Sequence, residues 1–181
     1  SDSSRARVLP DLDKPLISIN DPDTLSCKKT TVDLHGIAMS SSGHVLLVQW
    51  KDSQGNNIAS QDSSSVSVSK SGIYTFSALD INNGCFHEVS INVFIDTLRP
   101  LLNTDPDQVW NCLTKSLNLS ANTILSNIVY QWNTVGGKIS GSINQNKIQA
   151  ASPGIYICSV TNPVNGCQNV DTTFLLADTT K

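Results

Sequence analysis

Residues 153–167 read PGIYICSVTNPVNGC, and residues 71–85 read SGIYTFSALDINNGC. In both stretches a Cys follows the Tyr of Gly-Ile-Tyr by 11 positions, and a Trp precedes the Gly by 22 positions, at Trp50 and Trp132. Further upstream, PLISINDPDTLSC at 15–27 matches PLLNTDPDQVWNC at 100–112. Such a series of matched offsets indicates one module that is written twice in tandem.

The boundary between the two copies is marked by DTLRP at 96–100, which has counterparts in DLDKP at 11–15 and DTTK at 178–181. The proline fixes φ and removes a backbone donor, so it suits the change from a closing strand to an opening strand. We therefore expect the last strand or tail of a preceding repeat at 1–11, the first module at 12–97 and the second at 98–179. The expected partners are neighbouring repeat modules of the same chain.

Within each copy the apolar residues alternate with polar ones, as at Val89, Ile91 and Val93. This period of two is typical of half-buried strands, and no stretch sustains a helical pattern. Short strands separated by turns rich in Gly, Asn and Ser, in modules of about 85 residues, predict an all-β fold of two tandem sandwiches. Asp171 falls where the first copy has Val89, so we expect a bulge or a one-residue slip in the last strand.

The Gly-x-Tyr-x-Cys sequence at 154–158 resembles the late-strand signature of immunoglobulin domains, in which the Tyr forms a corner hydrogen bond and the Cys faces the core. The resemblance implies two tandem immunoglobulin-like β-sandwich domains. It assigns the core tryptophan and the corner tyrosine of each copy to Trp50 and Tyr74, and to Trp132 and Tyr156. Cys158 departs from the signature because it faces Leu119 and not a second cysteine, so we expect a buried free thiol there.

The whole repeat resembles more closely the bacterial Ig-like and PKD-like modules of large surface proteins in gliding bacteria and their Bacteroidetes relatives. In the first copy the shared pattern begins with Leu25 and Cys27, continues through NGC at 83–85, and ends with Asp96 and Pro100. The resemblance covers essentially the whole chain. It implies a non-catalytic segment of an exported cell-surface protein, acting as a stalk or spacer and as an adhesive surface. The alternative is a carbohydrate-binding accessory module of a secreted glycan-degrading enzyme.

Two cysteines recur in each module, Cys27 and Cys85 in the first and Cys112 and Cys167 in the second. Paired cysteines in small β modules indicate disulfides and an oxidising, extracellular compartment, and the chain has no Cys-x-x-Cys that would indicate a metal site. In immunoglobulin topology the two cysteines of a module lie more than ~20 Å apart, which favours a staggered bond between Cys27 and Cys167. The recurrence of the same two positions in each copy slightly favours in-module bonds, 27–85 and 112–167. Both connectivities therefore stay open.

The composition argues against several functions. The net charge is −3 and there is no run of Lys or Arg, so nucleic acid is not an expected partner. No apolar run approaches the ~20 residues that span a bilayer, so we expect no membrane insertion by this segment. His35, His44 and His87 occur only in the first copy, and nothing around them suggests a catalytic triad, so we expect no enzyme activity.

Two further site hypotheses remain. Asp96, Asp105 and Asp107 cluster near the junction of the two copies, and such oxygen ligands could bind Ca²⁺ and stiffen a rod. We prefer the interpretation that these aspartates support turns, in which case no cofactor is needed. Trp110 replaces Leu25 of the first copy; we prefer packing at a module contact to an exposed platform for a glycan or protein ligand.

Overall fold

The structure is a computed structural model that describes residues 10–178. Every regular element in this range is a β-strand, so the all-β prediction is confirmed. No helix that could cross a membrane occurs in this range. The tail predicted at 1–11 falls almost entirely outside the described residues. Contacts divide the chain into two compact units, the first up to Leu25 and over Lys29–Ile95, the second from Asp96 onward together with Ser26–Lys28.

The first unit is built from two three-stranded sheets and one short strand pair. Its strands are β1 (Leu16–Ile19), β2 (Leu25–Ser26), β3 (Val32–Met39), β4 (Leu46–Lys51), β5 (Ser65–Val68), β6 (Gly72–Asp80), β7 (Phe86–Val93) and β8 (Ile95–Asp96). The sheets have the orders β1-β3-β5 and β4-β6-β7, with antiparallel pairing throughout, and β2 pairs with β8. The side chains that face inward from these sheets meet in one hydrophobic core.

The second unit repeats this plan with eight strands that form two four-stranded sheets. They are β9 (Asn103–Thr104), β10 (Gln108–Trp110), β11 (Leu117–Asn122), β12 (Val129–Val135), β13 (Lys138–Ser140), β14 (Lys147–Ser152), β15 (Gly154–Thr161) and β16 (Gln168–Ala177). One sheet has the order β13-β14-β11-β9 and the other β10-β16-β15-β12, in which β10 runs parallel to β16. These are the ABED and CFG sheets of an immunoglobulin constant-type sandwich, with a short first-strand extension beside the last strand.

The tryptophans and tyrosines of the repeat lie in the two cores. Trp50 and Trp132 are fully buried, and each indole N–H donates to a backbone carbonyl, of Ser64 and Gln145 at 3.2 and 2.9 Å. Such partners matter because a buried N–H without an acceptor costs about 1–3 kcal/mol. Each core therefore contains a large aromatic side chain whose polar atom is satisfied.

Both tyrosines form the corner hydrogen bond to the backbone four residues upstream. The Tyr74 hydroxyl donates to the Lys70 carbonyl at 2.8 Å, and the Tyr156 hydroxyl donates to the Ser152 carbonyl at 2.6 Å. Tyr156 also accepts a hydrogen bond from the Lys138 N–H at 3.2 Å. The corner of the second unit is consequently tied at two places and that of the first unit at one.

The expected bulge at Asp171 is wrong, because β15 and β16 pair in unbroken register and Asp171 stands opposite Cys158. The carboxylate is accommodated by Thr104, whose N–H and hydroxyl donate to it at 2.7 and 2.9 Å. Burial raises the pKa of Asp171, but these hydrogen bonds and one from the Thr172 N–H outweigh burial and lower the pKa below its ordinary value. A polar side chain thus occupies an inward position of the strand without a break in pairing.

Candidate functional site

The hairpin turn before the last strand, which we call the second NGC turn (residues 162–167), is closed by its own backbone and by the side chains of two asparagines. Gly166 N–H donates to the Asn162 carbonyl at 2.8 Å, and Gly166 has φ +75°, a conformation that glycine adopts without a steric penalty. The Asn165 carboxamide oxygen accepts from the Cys167 N–H at 2.9 Å. The turn therefore holds Cys167 in one fixed position.

Asn165 also binds the segment that opens the second unit. Its side chain is buried, and the carboxamide N–H groups donate to the Asp96 carboxylate at 3.0 Å and to the Leu98 carbonyl at 2.9 Å. Next to it, the Asn169 side chain donates to the Pro100 carbonyl at 3.0 Å. The turn is thereby fixed to residues 96–100, the stretch that the sequence marks as the start of a module.

Residues 26–28 lie against the same turn and group with the second unit, although by sequence they belong to the first repeat. Cys27 forms a disulfide with Cys167, with the two Cα atoms 5.0 Å apart. Lys28 N–H donates to the Asn165 carbonyl at 3.2 Å, and the Lys28 ammonium group donates to the Pro163 carbonyl at 2.8 Å. A Cβ on Gly166 would lie 2.6 Å from the Cβ of Lys28, so the turn accepts this segment only because residue 166 is glycine.

The slight preference for in-module bonds 27–85 and 112–167 is therefore wrong for this structure, and strand geometry gives the reason. Cys85 precedes β7, whereas Leu25 N–H bonds to the Phe94 carbonyl just past the end of β7. The eight residues of β7 at ~3.3 Å each place Cys85 roughly 26 Å from that end. Bridged Cα atoms need a separation of about 4.4–6.8 Å, so the bond within the module cannot form.

The remaining three cysteines are free and differ in environment. Cys85 is half-buried, Cys112 is exposed, and Cys158 is buried in the second core. Burial raises the pKa of the Cys158 thiol to about 12, and Asp171 adds to the effect. Because the thiolate is the reactive form, Cys158 is chemically inert at neutral pH, whereas Cys112 is open to solvent.

The aspartates considered as calcium ligands each accept hydrogen bonds within the second unit. Asp105 accepts from the Ser120 N–H at 2.7 Å and Asp107 from the Phe174 N–H at 2.9 Å, while Asp96 accepts from Asn165 and from the Leu98 N–H. In residues 10–178 no group of three or more His, Cys, Asp or Glu side chains could hold a metal ion. Among these contacts only that of Asp96 with Leu98 is local to a turn, whereas Asp105 and Asp107 bind backbone groups of β11 and β16. Calcium binding stays a hypothesis.

Trp110 packs against the core of its own unit. The side chain is half-buried in contact with the second hydrophobic cluster, and its carbonyl accepts from the Asp178 N–H at 2.8 Å. It therefore does not stand out as a flat platform. In the first unit an open groove of about 430 Å³ is lined by Asp52, Lys70 and Tyr74 among others, but its one aromatic side chain, Tyr74, is buried in the core.

The three histidines have local partners in the first unit. His44 Nδ1 lies 2.9 Å from a carboxylate oxygen of Asp80, which is buried and also accepts from the Asn82 N–H at 2.9 Å. His87 Nδ1–H donates to the Pro15 carbonyl at 2.7 Å, and His35 Nδ1 lies 2.8 Å from the Ser65 hydroxyl. Burial raises the pKa of Asp80, but the hydrogen bonds from Asn82 and His44 lower it overall. The absence of enzyme activity stays a prediction.

Sequence reasoning did not identify Lys28, Asn165 and Gly166 as the residues around the disulfide. The available signal was the NGC sequence itself, which is identical in both copies. An Asn-Gly pair ahead of a cysteine provides a carboxamide that can fix the thiol-bearing residue and a backbone with no side chain in the way of a partner.

Strand order, the buried tryptophans and the tyrosine corners together define this chain as two immunoglobulin-like β-sandwich units. No protein-family model matches the chain, and no curated protein matches it. Among solved structures it is similar to the three N-terminal domains of the outer capsid protein Hoc of bacteriophage RB49, with 14% identity, 91% of this chain and 59% of that chain covered, and a TM-score of 0.46.

Two further structures show the same level of similarity. Sidekick-1 immunoglobulin domains 1–5 share 16% identity over 91% of this chain and 39% of that chain, with a TM-score of 0.44. Murine CEACAM1b shares 13% identity over 91% of this chain and 100% of that chain, with a TM-score of 0.37. The chain thus spans about 59% and 39% of the Hoc and Sidekick-1 structures. At these values the fold assignment rests on the strands and core of this chain itself.

Proposed function

We propose that this chain is a non-catalytic pair of repeat modules from an exported cell-surface protein, and that it acts as a covalently reinforced spacer. The observation that carries the proposal is the Cys27–Cys167 disulfide, which spans a sequence separation of 140 residues. Structural disulfides persist in oxidising compartments outside the cytosol, which supports an extracellular location. The likeness of the repeat to bacterial Ig-like and PKD-like surface modules supports the same extracellular location.

The disulfide has a direct mechanical consequence. When the chain is pulled at its two ends, the load passes from Cys27 through the two sulfur atoms to Cys167 and bypasses everything between them. Both β-sandwich cores lie mainly in the bypassed part. A segment of this kind transmits force without lengthening, which is the property that a spacer between a cell and an attachment point requires.

Single-molecule pulling tests the proposal. The oxidised chain, held by tags at its two ends, should release no domain-sized length, whereas after reduction the 140-residue span should release roughly 450–500 Å of contour length at about 3.3–3.6 Å per residue. The C27S/C167S variant should behave like the reduced chain under both conditions. Domain-sized unfolding steps in the oxidised wild-type chain would refute the spacer role.

A specific surface supports an additional adhesive role. On the outer face of the second unit, Val135, Ile155 and Phe174 stand side by side on three adjacent strands, and Val135 and Phe174 are exposed. Adjacent exposed apolar side chains on a sheet are typical of protein contact sites. Beads coated with wild-type protein should bind host or neighbouring cells, and beads coated with the F174D variant should lose this binding. Equal binding by the two kinds of bead would exclude this face as the adhesive surface. The packing of Trp110 leaves the carbohydrate-binding alternative without a supporting observation.

A further inference from the structure

The turn at residues 80–85, which we call the first NGC turn, has the same internal geometry as the second. Gly84 N–H donates to the Asp80 carbonyl at 2.8 Å, and Cys85 N–H donates to the Asn83 carboxamide oxygen at 2.8 Å. Gly84 has φ +74°, against +75° for Gly166. The Asn83 side chain donates to the Asp13 carbonyl at 3.0 Å, just as Asn165 donates to Leu98. The site that receives residues 26–28 in one unit is thus fully built in the other.

The difference between the two turns is that one is occupied. Gly166 is covered by Lys28 and Cys167 is bonded, whereas Cys85 is free, and around Gly84 no described residue lies within 4 Å of the position of a Cβ. Ile81, which takes the place of Pro163 in this turn, is 54% exposed. The first NGC turn therefore presents a free thiol, an uncovered glycine and an uncovered apolar side chain on one hairpin.

The matching segment is also present in the chain, again without a partner for its thiol. Residues 111–113 are the repeat equivalents of 26–28, Cys112 is free and exposed, and Leu113 is 90% exposed. Leu113 stands where Lys28 stands in the occupied site, and Ile81 stands where Pro163 does. The occupied site has a hydrogen bond from the Lys28 ammonium group to the Pro163 carbonyl. At the first NGC turn, contact between two apolar side chains, those of the leucine and the isoleucine, would take its place.

We infer that the first NGC turn is a docking site for residues 111–113 of another copy of this repeat, and that Cys85 and Cys112 of the two copies join in a disulfide. Two thiols lose two protons and two electrons as the sulfur–sulfur bond forms. A low-molecular-weight disulfide such as oxidised glutathione takes them up and becomes two thiols. Because the two half-sites differ, each copy offers one of each kind, and the contact is head-to-tail.

A pairing experiment tests this inference with the full chain. The C85S variant, which keeps Cys112, is labelled with ¹⁵N and mixed in equal amounts with unlabelled C112S, which keeps Cys85. After equilibration in a glutathione redox buffer, intact mass spectrometry counts labelled, unlabelled and mixed dimers, and peptide mapping locates the bond. Random collision of thiols gives about half mixed dimers, whereas docking should raise the mixed fraction above roughly nine-tenths. A random distribution, or an absence of dimers, would overturn the inference.

Matched variants separate docking from plain thiol reactivity. In the C112S partner, G84N keeps a residue that tolerates positive φ but adds the Cβ that the docked segment would meet, so the mixed fraction should fall to the random value. In the C85S partner, L113D should also lower the mixed fraction to the random value. L113K, which restores the residue of the occupied site, should keep the excess of mixed dimers. A preference that survives G84N and L113D would show that the cysteines pair without this surface.

Discussion

Removal of the Cys27–Cys167 disulfide should destabilise both units, because the loop that the bond closes contains most of each unit. We compare C85S/C112S, which retains the bond and no other reactive thiol, with the same chain carrying C27S and C167S in addition. Lys29–Ile95 of the first unit and residues 96–166 of the second lie inside this loop. The loss should therefore appear in both units.

The magnitude follows from the loop that the bond closes when only the second unit unfolds. The folded first unit holds Leu25 beside Phe94, so the flexible part of the loop runs from Asp96 to Cys167 and has about 70 residues. The chain-entropy relation gives about 4.4 kcal/mol for a loop of that length, and measured values for single disulfides usually reach about 2–4 kcal/mol. When only the first unit unfolds, the folded second unit holds both Cys27 and Asp96, so a loop of about 70 residues is again closed, and we expect a loss in that measured range for each unit.

Hydrogen exchange read by mass spectrometry along a denaturant series resolves the two units. Peptides from β6 report on the first core and peptides from β15 on the second, so each unit yields its own unfolding free energy. A loss confined to one unit, or a loss below about 0.5 kcal/mol in both, would refute the reasoning that this bond restrains each unit when it unfolds.

Three further predictions concern the cores. Y156F should cost about 2 kcal/mol because it removes hydrogen bonds with two backbone groups, and Y74F about 1 kcal/mol because it removes one; equal costs in urea unfolding would contradict this. G36A should cost about 1–3 kcal/mol, because the added Cβ would lie 2.6 Å from Cγ of Phe76, and F76L should relieve part of it; an unchanged midpoint for G36A would be inconsistent with this packing. The lowered pKa of Asp171 contributes stability that is present above pH 3.8 and is lost as the pH falls through the folded-state pKa. The D171N variant should therefore lose less of the second unit's unfolding free energy than wild type when the pH is lowered below 3.8. An equal loss in the two proteins would argue against this role of Asp171.

The fold could be predicted because its signals are local and are given twice. Alternation along each strand, the Gly-Ile-Tyr sequence and the matched tryptophan are readable within a few residues of one another, and two copies exclude coincidence. The burial of Trp50, Trp132 and Tyr156 in separate cores is what those signals require. None of these inferences depends on how distant parts of the chain meet.

The disulfide shows how one of two arguments from the same residues can be misleading. Strand length argued for a bond between Cys27 and Cys167, and recurrence of both cysteines in each copy argued for bonds within modules. Recurrence does not distinguish bonds within modules from bonds between modules, because an array in which each copy bonds to the next also repeats both cysteine positions in every copy. Only the argument from distance had physical content, since eight extended residues cannot be compressed to the ~5.5 Å that a disulfide allows.

Packing across each sandwich could not be predicted from local signals, because it couples residues that are far apart in the chain. Gly36 gives the ring of Phe76 its space, and a side chain at position 36 would collide with that ring. In the second copy the same two positions hold Ala121 and Cys158, both fully buried, so a larger residue on one sheet accompanies a smaller one on the other. Phe76, which stands in the first copy where the second has the signature cysteine, is therefore one half of a volume exchange that conserves the fill of the core. Comparison of the two copies position by position makes such exchanges visible, but only once the strand register shows which positions face each other.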